Sequence, residues 1–69
     1  MNAQQLQTIA IAEAIQTLRE VPAGHLYAHV MQHMSLDEFE RVIAVLVRAG
    51  VVKRANHLLT WTGPAVKES

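Results

Sequence analysis

The sequence predicts an α+β domain in which three helices are followed by a short C-terminal β-hairpin. Three observations point there. Residues 34–50, MSLDEFERVIAVLVRAG, read as a helix with both ends marked. Upstream, Val21-Pro22-Ala23-Gly24 interrupts a helical pattern. After Gly50 the apolar period changes to that of strands. Sixty-nine residues hold one domain, residues 1–69, with its core over about residues 8–63.

The first helix begins at Asn2-Ala3-Gln4-Gln5, an N-cap with Gln at N3. Nothing breaks it from Ala3 to about Arg19. Ile11, Ile15 and Leu18, with Ala14, form one apolar stripe. Leu6 and Ile9 fall on another side of the same helix. They are either core reached by a bent helix or a contact surface for a second copy.

Pro22 disfavours helix at Val21 and suits the start of the next helix. That helix is expected from His25 to about His33, burying Leu26 and Val30 with Tyr27, Met31 and Met34 beside them. In the third helix, Ser35 and Glu38 form a capping box, and Met34 and Phe39 a hydrophobic staple. Gly50 is the C′ residue, and Arg48 favours the C-terminal end of the helix dipole. At about 100° per residue, Leu36, Phe39, Val42, Ile43, Leu46 and Val47 share one face. Asp37, Arg41, Ala44 and Arg48 share the opposite one, with Glu38 and Val45 at its edge.

Two strand-like segments follow, residues 51–54 and 57–62, joined through Ala55-Asn56. Asn56 tolerates the left-handed conformation that a tight hairpin needs. Leu59 and Trp61 are expected to point inward, with Leu58 and Thr60 outward. Gly63-Pro64 ends the element and the chain is expected to fray beyond it.

Composition narrows the function classes. Half of the residues are hydrophobic (51%), enough for a compact core and against disorder. Without cysteine there is no disulfide framework or zinc knuckle; with no positive n-region in MNAQQLQT, a cytoplasmic location is expected. No apolar run suits a membrane span. Ser35 is occupied as a cap, no glycine-rich phosphate loop exists, and no acid pair flanks a substrate, so no enzyme and no cofactor is expected. His25, His29 and His33 recur every four residues, a metal-ligand spacing for His25 with His29. With no cysteine and no carboxylate placed beside them, a solvated helix face that gains charge near pH 6 is expected instead of a metal site.

Formal net charge is zero, but its distribution is uneven. Residues 1–40 carry five acids (Glu13, Glu20, Asp37, Glu38, Glu40) against Arg19 alone. Residues 41–69 carry Arg41, Arg48, Lys53, Arg54 and Lys67 against Glu68 alone. Such polarity can build a basic face on a neutral protein. The acids at the start of the third helix have a local role, since they stabilise its first turn, and Asp37 stands four residues before Arg41.

This order of elements resembles the winged helix-turn-helix fold, with the second and third helices as the helix-turn-helix pair and a turn near His33-Met34-Ser35. Gly50-Val51-Val52 and Leu59-Thr60-Trp61-Thr62-Gly63 resemble the wing of small bacterial winged-helix regulators. The resemblance covers about Thr8 to Gly63. It implies a nucleic-acid-binding protein, DNA first, with a transcription-regulatory role. Arg41, Ala44 and Arg48 would then approach the groove while Lys53, Arg54 and His57 hold phosphates. The chain departs from the pattern in its very short wing loop and its acidic third-helix start. Only six residues follow Gly63, where many such regulators carry a dimerisation helix. The alternative expectation is a protein-protein interaction module of a larger complex. Leu6, Ile9, Val45 and Leu58 are its expected contact residues, joined by Trp61 if that ring is exposed at the sheet edge, and Leu6 and Ile9 would also serve a homodimer.

Overall fold

Two capping boxes set where the helices begin, and a computed structural model of the chain shows both formed; it describes residues 2–64. Asn2 Oδ1 accepts from the Gln5 N–H at 2.8 Å, and Gln5 Oε1 accepts from the Asn2 N–H at 2.9 Å. That box opens α1 (Ala3–Leu18). Ser35 Oγ accepts from the Glu38 N–H at 3.1 Å, and Glu38 Oε1 accepts from the Ser35 N–H at 2.9 Å. That box opens α3 (Leu36–Arg48), where Met34 and Phe39 are both buried as a staple requires. Ser35→Ala removes one of these bonds and is expected to cost about 1 kcal/mol. A lowered urea midpoint at unchanged slope reads that loss.

The remaining elements are β1 (Glu20–Pro22), α2 (Ala23–Val30), β2 (Val52–Ala55) and β3 (Leu58–Trp61). The three strands form an antiparallel sheet in the order β1-β3-β2. Val21 pairs with Leu59 and Arg54 with Leu59 from the other side, so β3 is the central strand. One face of the sheet lies against the helices. The core gathers there from Ile11 and Ile15 of α1, Leu26 of α2, Phe39 and Val42 of α3, and Leu59 of β3. Tyr27 packs its ring on Phe39, with centroids 5.2 Å apart.

Several expectations are corrected. The break at residues 21–24 contains a strand: Glu20, Val21 and Pro22 pair with Thr60, Leu59 and Leu58. The α2 helix starts two residues early because Pro22 supplies the extended N-cap backbone and the Ala23 N–H donates to the His57 carbonyl at 2.6 Å. It ends at Val30, whose carbonyl accepts from both His33 and Met34 N–H groups. His33 thus leaves the helix, and Met31 is exposed. Leu18 is 53% exposed because α1 stops there; Arg19, at φ 71°, turns the chain into β1. Leu36 and Val47 are also exposed, so the buried face of α3 is the narrower set Phe39, Val42, Ile43 and Leu46. Leu6 and Ile9 do not reach the core.

The hairpin turn is Asn56-His57, one residue later than expected, because Ala55 still pairs with Leu58. Asn56 does adopt the left-handed conformation, at φ 57°. Leu59 is fully buried and Trp61 partly so, its Nε1–H donating to the Pro64 carbonyl at 3.2 Å. At Gly63 the backbone runs close to Val51, and a Cβ there would sit 2.6 Å from Val51 Cγ1 and 3.1 Å from its Cα. Only glycine fits that approach. The expected frayed end, with Lys67 and Glu68, lies outside the described residues. No helix among the described residues is long and apolar enough to cross a membrane.

Candidate functional site

With Phe39, Val42, Ile43 and Leu46 turned inward, the helical repeat fixes what α3 presents outward. Asp37, Arg41, Ala44 and Arg48 are all exposed along that ridge. Arg41 and Arg48 are seven residues apart, hence two turns and about 10.5 Å along the axis. Ala44 stands between them and leaves the backbone approachable. Among the described residues, neither guanidinium has a carboxylate at ion-pair distance. The expected pair of Asp37 with Arg41 does not form.

The ion pair that does form among the described residues is Arg54 with Glu40. Arg54 Nη1 donates to Glu40 Oε1 at 2.7 Å and Nη2 to Oε2 at 3.3 Å, a two-pronged contact from β2 to α3. The hydrogen bond from Arg54, aided by its charge, holds the Glu40 carboxyl below its ordinary value. It raises the Arg54 pKa in return. Both groups keep much of their contact with water, with side-chain exposures of 33% for Arg54 and 44% for Glu40. The pair therefore contributes only about 0–1 kcal/mol. The sign follows from the lowered carboxyl: its contribution is complete above the ordinary value of 4.5 and is lost as pH falls through the folded value. Glu40→Gln is expected to leave neutral stability within about 0.5 kcal/mol while flattening the acid limb of a stability–pH curve below that value.

Strand alternation then separates the remaining cations. Val52 is buried against the helices, and Arg54, two residues on, shares its face. Lys53 and Ala55 take the opposite face, where Lys53 lies across from Thr60 and Thr60 in turn from Glu20. Lys53 is thereby parted from the α3 ridge. A groove of about 480 Å³ between α3 and β2 is lined by Ala44, Val47, Arg48 and the Glu40–Arg54 pair. A second, of about 280 Å³, continues past that pair to Leu36, Tyr27 and His57 at the hairpin turn. Of the six residues expected to meet nucleic acid, Arg41, Ala44 and Arg48 share a ridge. Arg54 borders it but is engaged by Glu40, His57 lies at the far end of the second groove, and Lys53 is behind the sheet.

The expected contact residues also divide. Ile9 of α1 and Val45 of α3 meet across a groove of about 410 Å³, also lined by Asn2, Gln4, Gln5 and Thr8. Leu6 is exposed one turn from Ile9. Leu58 belongs elsewhere, on the outer sheet face between Pro22 and Ala55. His25 and His29 remain neighbours on α2, with ring centroids 5.2 Å apart and edge to face. Among the described residues no three His, Cys, Asp or Glu side chains are grouped to hold a metal ion.

The residue that sequence reasoning missed is Glu40. It reads as one more acid of the helix start, but its partner is fourteen positions away on another element. No local spacing signals that pairing. Comparison with protein-family models, curated proteins and solved structures gave no match to this chain.

Proposed function

We propose that the chain is a small winged-helix nucleic-acid-binding protein, with duplex DNA its leading target and a regulatory role its expected use. The single observation that carries the reading is the outward ridge of α3, where Arg41 and Arg48 flank Ala44 with no described carboxylate beside them. The order of three helices and three strands, with the hairpin beside α3, supports it. The binding residues are narrowed to Arg41, Ala44 and Arg48, with Arg54 available to a phosphate when it parts from Glu40. Lys53 is withdrawn from the set. Phosphate contacts of this number give modest, salt-sensitive affinity with little sequence selection from one copy. The test is a titration of duplex DNA at two salt concentrations with wild type and with Arg41→Ala/Arg48→Ala. Binding that is absent at low salt, or indifferent to the double change, defeats the reading.

A second reading, a protein interaction module, is favoured by a specific observation. The α3 flank beside the wing carries exposed Leu36 and Val47 around a cation already neutralised by Glu40. A protein partner would cover that apolar flank. It would leave duplex binding absent in the same titration.

A further inference from the structure

We propose that His25 and His29 form a two-imidazole site on α2 for one divalent transition-metal ion of the zinc, nickel and copper class. The site rests on α2 alone and goes beyond the nucleic-acid reading, so either can fail without the other.

His25, His29 and His33 recur at equal spacing in the sequence, and the fold separates them. The α2 helix spans Ala23–Val30, so His25 and His29 stand one turn apart on the same helical face. His33 lies past the helix end, its N–H donating to the Val30 carbonyl. Spacing allows His25 with His29 or His29 with His33; the end of α2 keeps the first pair.

The sequence by itself favours a solvated face for these rings, and their separation is what turns the reading. The two ring centres are 5.2 Å apart. An imidazole nitrogen binds zinc at about 2.0–2.1 Å, which puts each ring centre about 3.2 Å from the ion. Two rings at a tetrahedral angle then have centres about 5 Å apart, which matches the separation in the structure. The rings meet edge to face, at 72°, so reaching one ion takes a rotation of exposed side chains. Among the described residues neither is held by a carboxylate, and the rotation breaks no ion pair.

The donor set fixes the class of ion. Imidazole suits late transition metals, whereas magnesium and calcium need oxygen ligands. No three such side chains are grouped among the described residues, so two protein ligands leave the other positions to water. The site is therefore open and exchangeable, unlike a closed structural one. Coordination by residues four apart requires helix between them, so the ion stabilises α2 and, through it, the folded state.

Calorimetric titration of the full chain with zinc chloride near neutral pH tests this, with magnesium chloride alongside. One zinc ion is expected to bind per chain, and magnesium none. His25→Gln and His29→Gln should each weaken binding by at least the roughly tenfold that losing a mere outer-shell partner costs. His33→Gln and His57→Gln should leave it unchanged. All four positions are exposed, so folding is kept, and melts without metal verify it. Zinc at about 100 times Kd should raise the wild-type melting midpoint by about 5 °C or more, a rise that His29→Gln largely abolishes. No saturable zinc binding below about 1 mM overturns the site. So does binding that survives either His25→Gln or His29→Gln, or that falls equally with His33→Gln, since each marks an adventitious ion only. Duplex binding is read separately, by the titration already described.

Discussion

Phe39→Ala is expected to leave much of the protein unfolded at room temperature. Phe39 is 1% exposed within the core, with Tyr27 of α2 against its ring. Truncating a buried phenylalanine costs about 3–5 kcal/mol through lost burial and the cavity left behind. A domain of this length has about 3–10 kcal/mol in total, so the loss takes most or all of it. The control is Leu36→Ala, three residues earlier on the same helix and exposed, which should change stability by less than about 0.5 kcal/mol. Thermal melts followed by circular dichroism compare the two. A cooperative transition for Phe39→Ala near the wild-type midpoint would mean that α3 is not seated as described.

Arg41→Ala/Arg48→Ala is expected to abolish measurable duplex binding at physiological salt while leaving the melt unchanged. Both side chains are exposed and neither has a described acidic partner, so nothing folded depends on them. Each phosphate contact contributes about 0.9 to the slope of log affinity against log salt, so two contacts account for a slope of about −2. The companion variant is Glu40→Gln. It removes a negative charge beside the ridge and releases Arg54, adding one cation to the proposed binding face. Duplex affinity should rise several-fold at low salt, and the salt slope should steepen by about one contact. Lys53→Ala, behind the sheet, should change little. If Lys53→Ala instead weakens binding as much as the arginine pair, the DNA follows a different surface.

These expectations differ in how far they depend on the folded structure. The two ends of the third helix were legible residue by residue, although its buried face proved narrower than the apolar stripe. Ser35 with Glu38, Met34 with Phe39, and Gly50 at φ 83° are arrangements within one turn, so the order of residue types contains them. The hairpin was legible to within one residue, because Asn56 marks the turn and Leu59 the buried face. The strand at Glu20–Pro22 was not. Three residues, one of them proline, carry no usable alternation, and the segment is a strand because Leu59 lies beside it. The end of α1 was missed by the same reasoning. Leu18 continues the apolar stripe in sequence, but the turn at Arg19 leaves it over solvent.

For the candidate site the division is sharper. Charge order along the chain implied a single basic face, since Arg41, Arg48, Lys53 and Arg54 are close in sequence. Alternation in β2 sends Lys53 and Arg54 to opposite sides, and Glu40 engages the latter. By itself the sequence determined the α+β class, three helices with the N-terminal caps of the first and third, the ridge of Arg41, Ala44 and Arg48, and the aliphatic pair Leu6 and Ile9. Those follow from helical periodicity and short-range hydrogen bonds, which need no distant partner. Only the tertiary structure decided the third strand, the Glu40–Arg54 clamp, the retreat of Lys53, and the meeting of Ile9 with Val45. Each of these joins residues from separate elements, and a linear chain encodes such contacts only through the packing of its whole core.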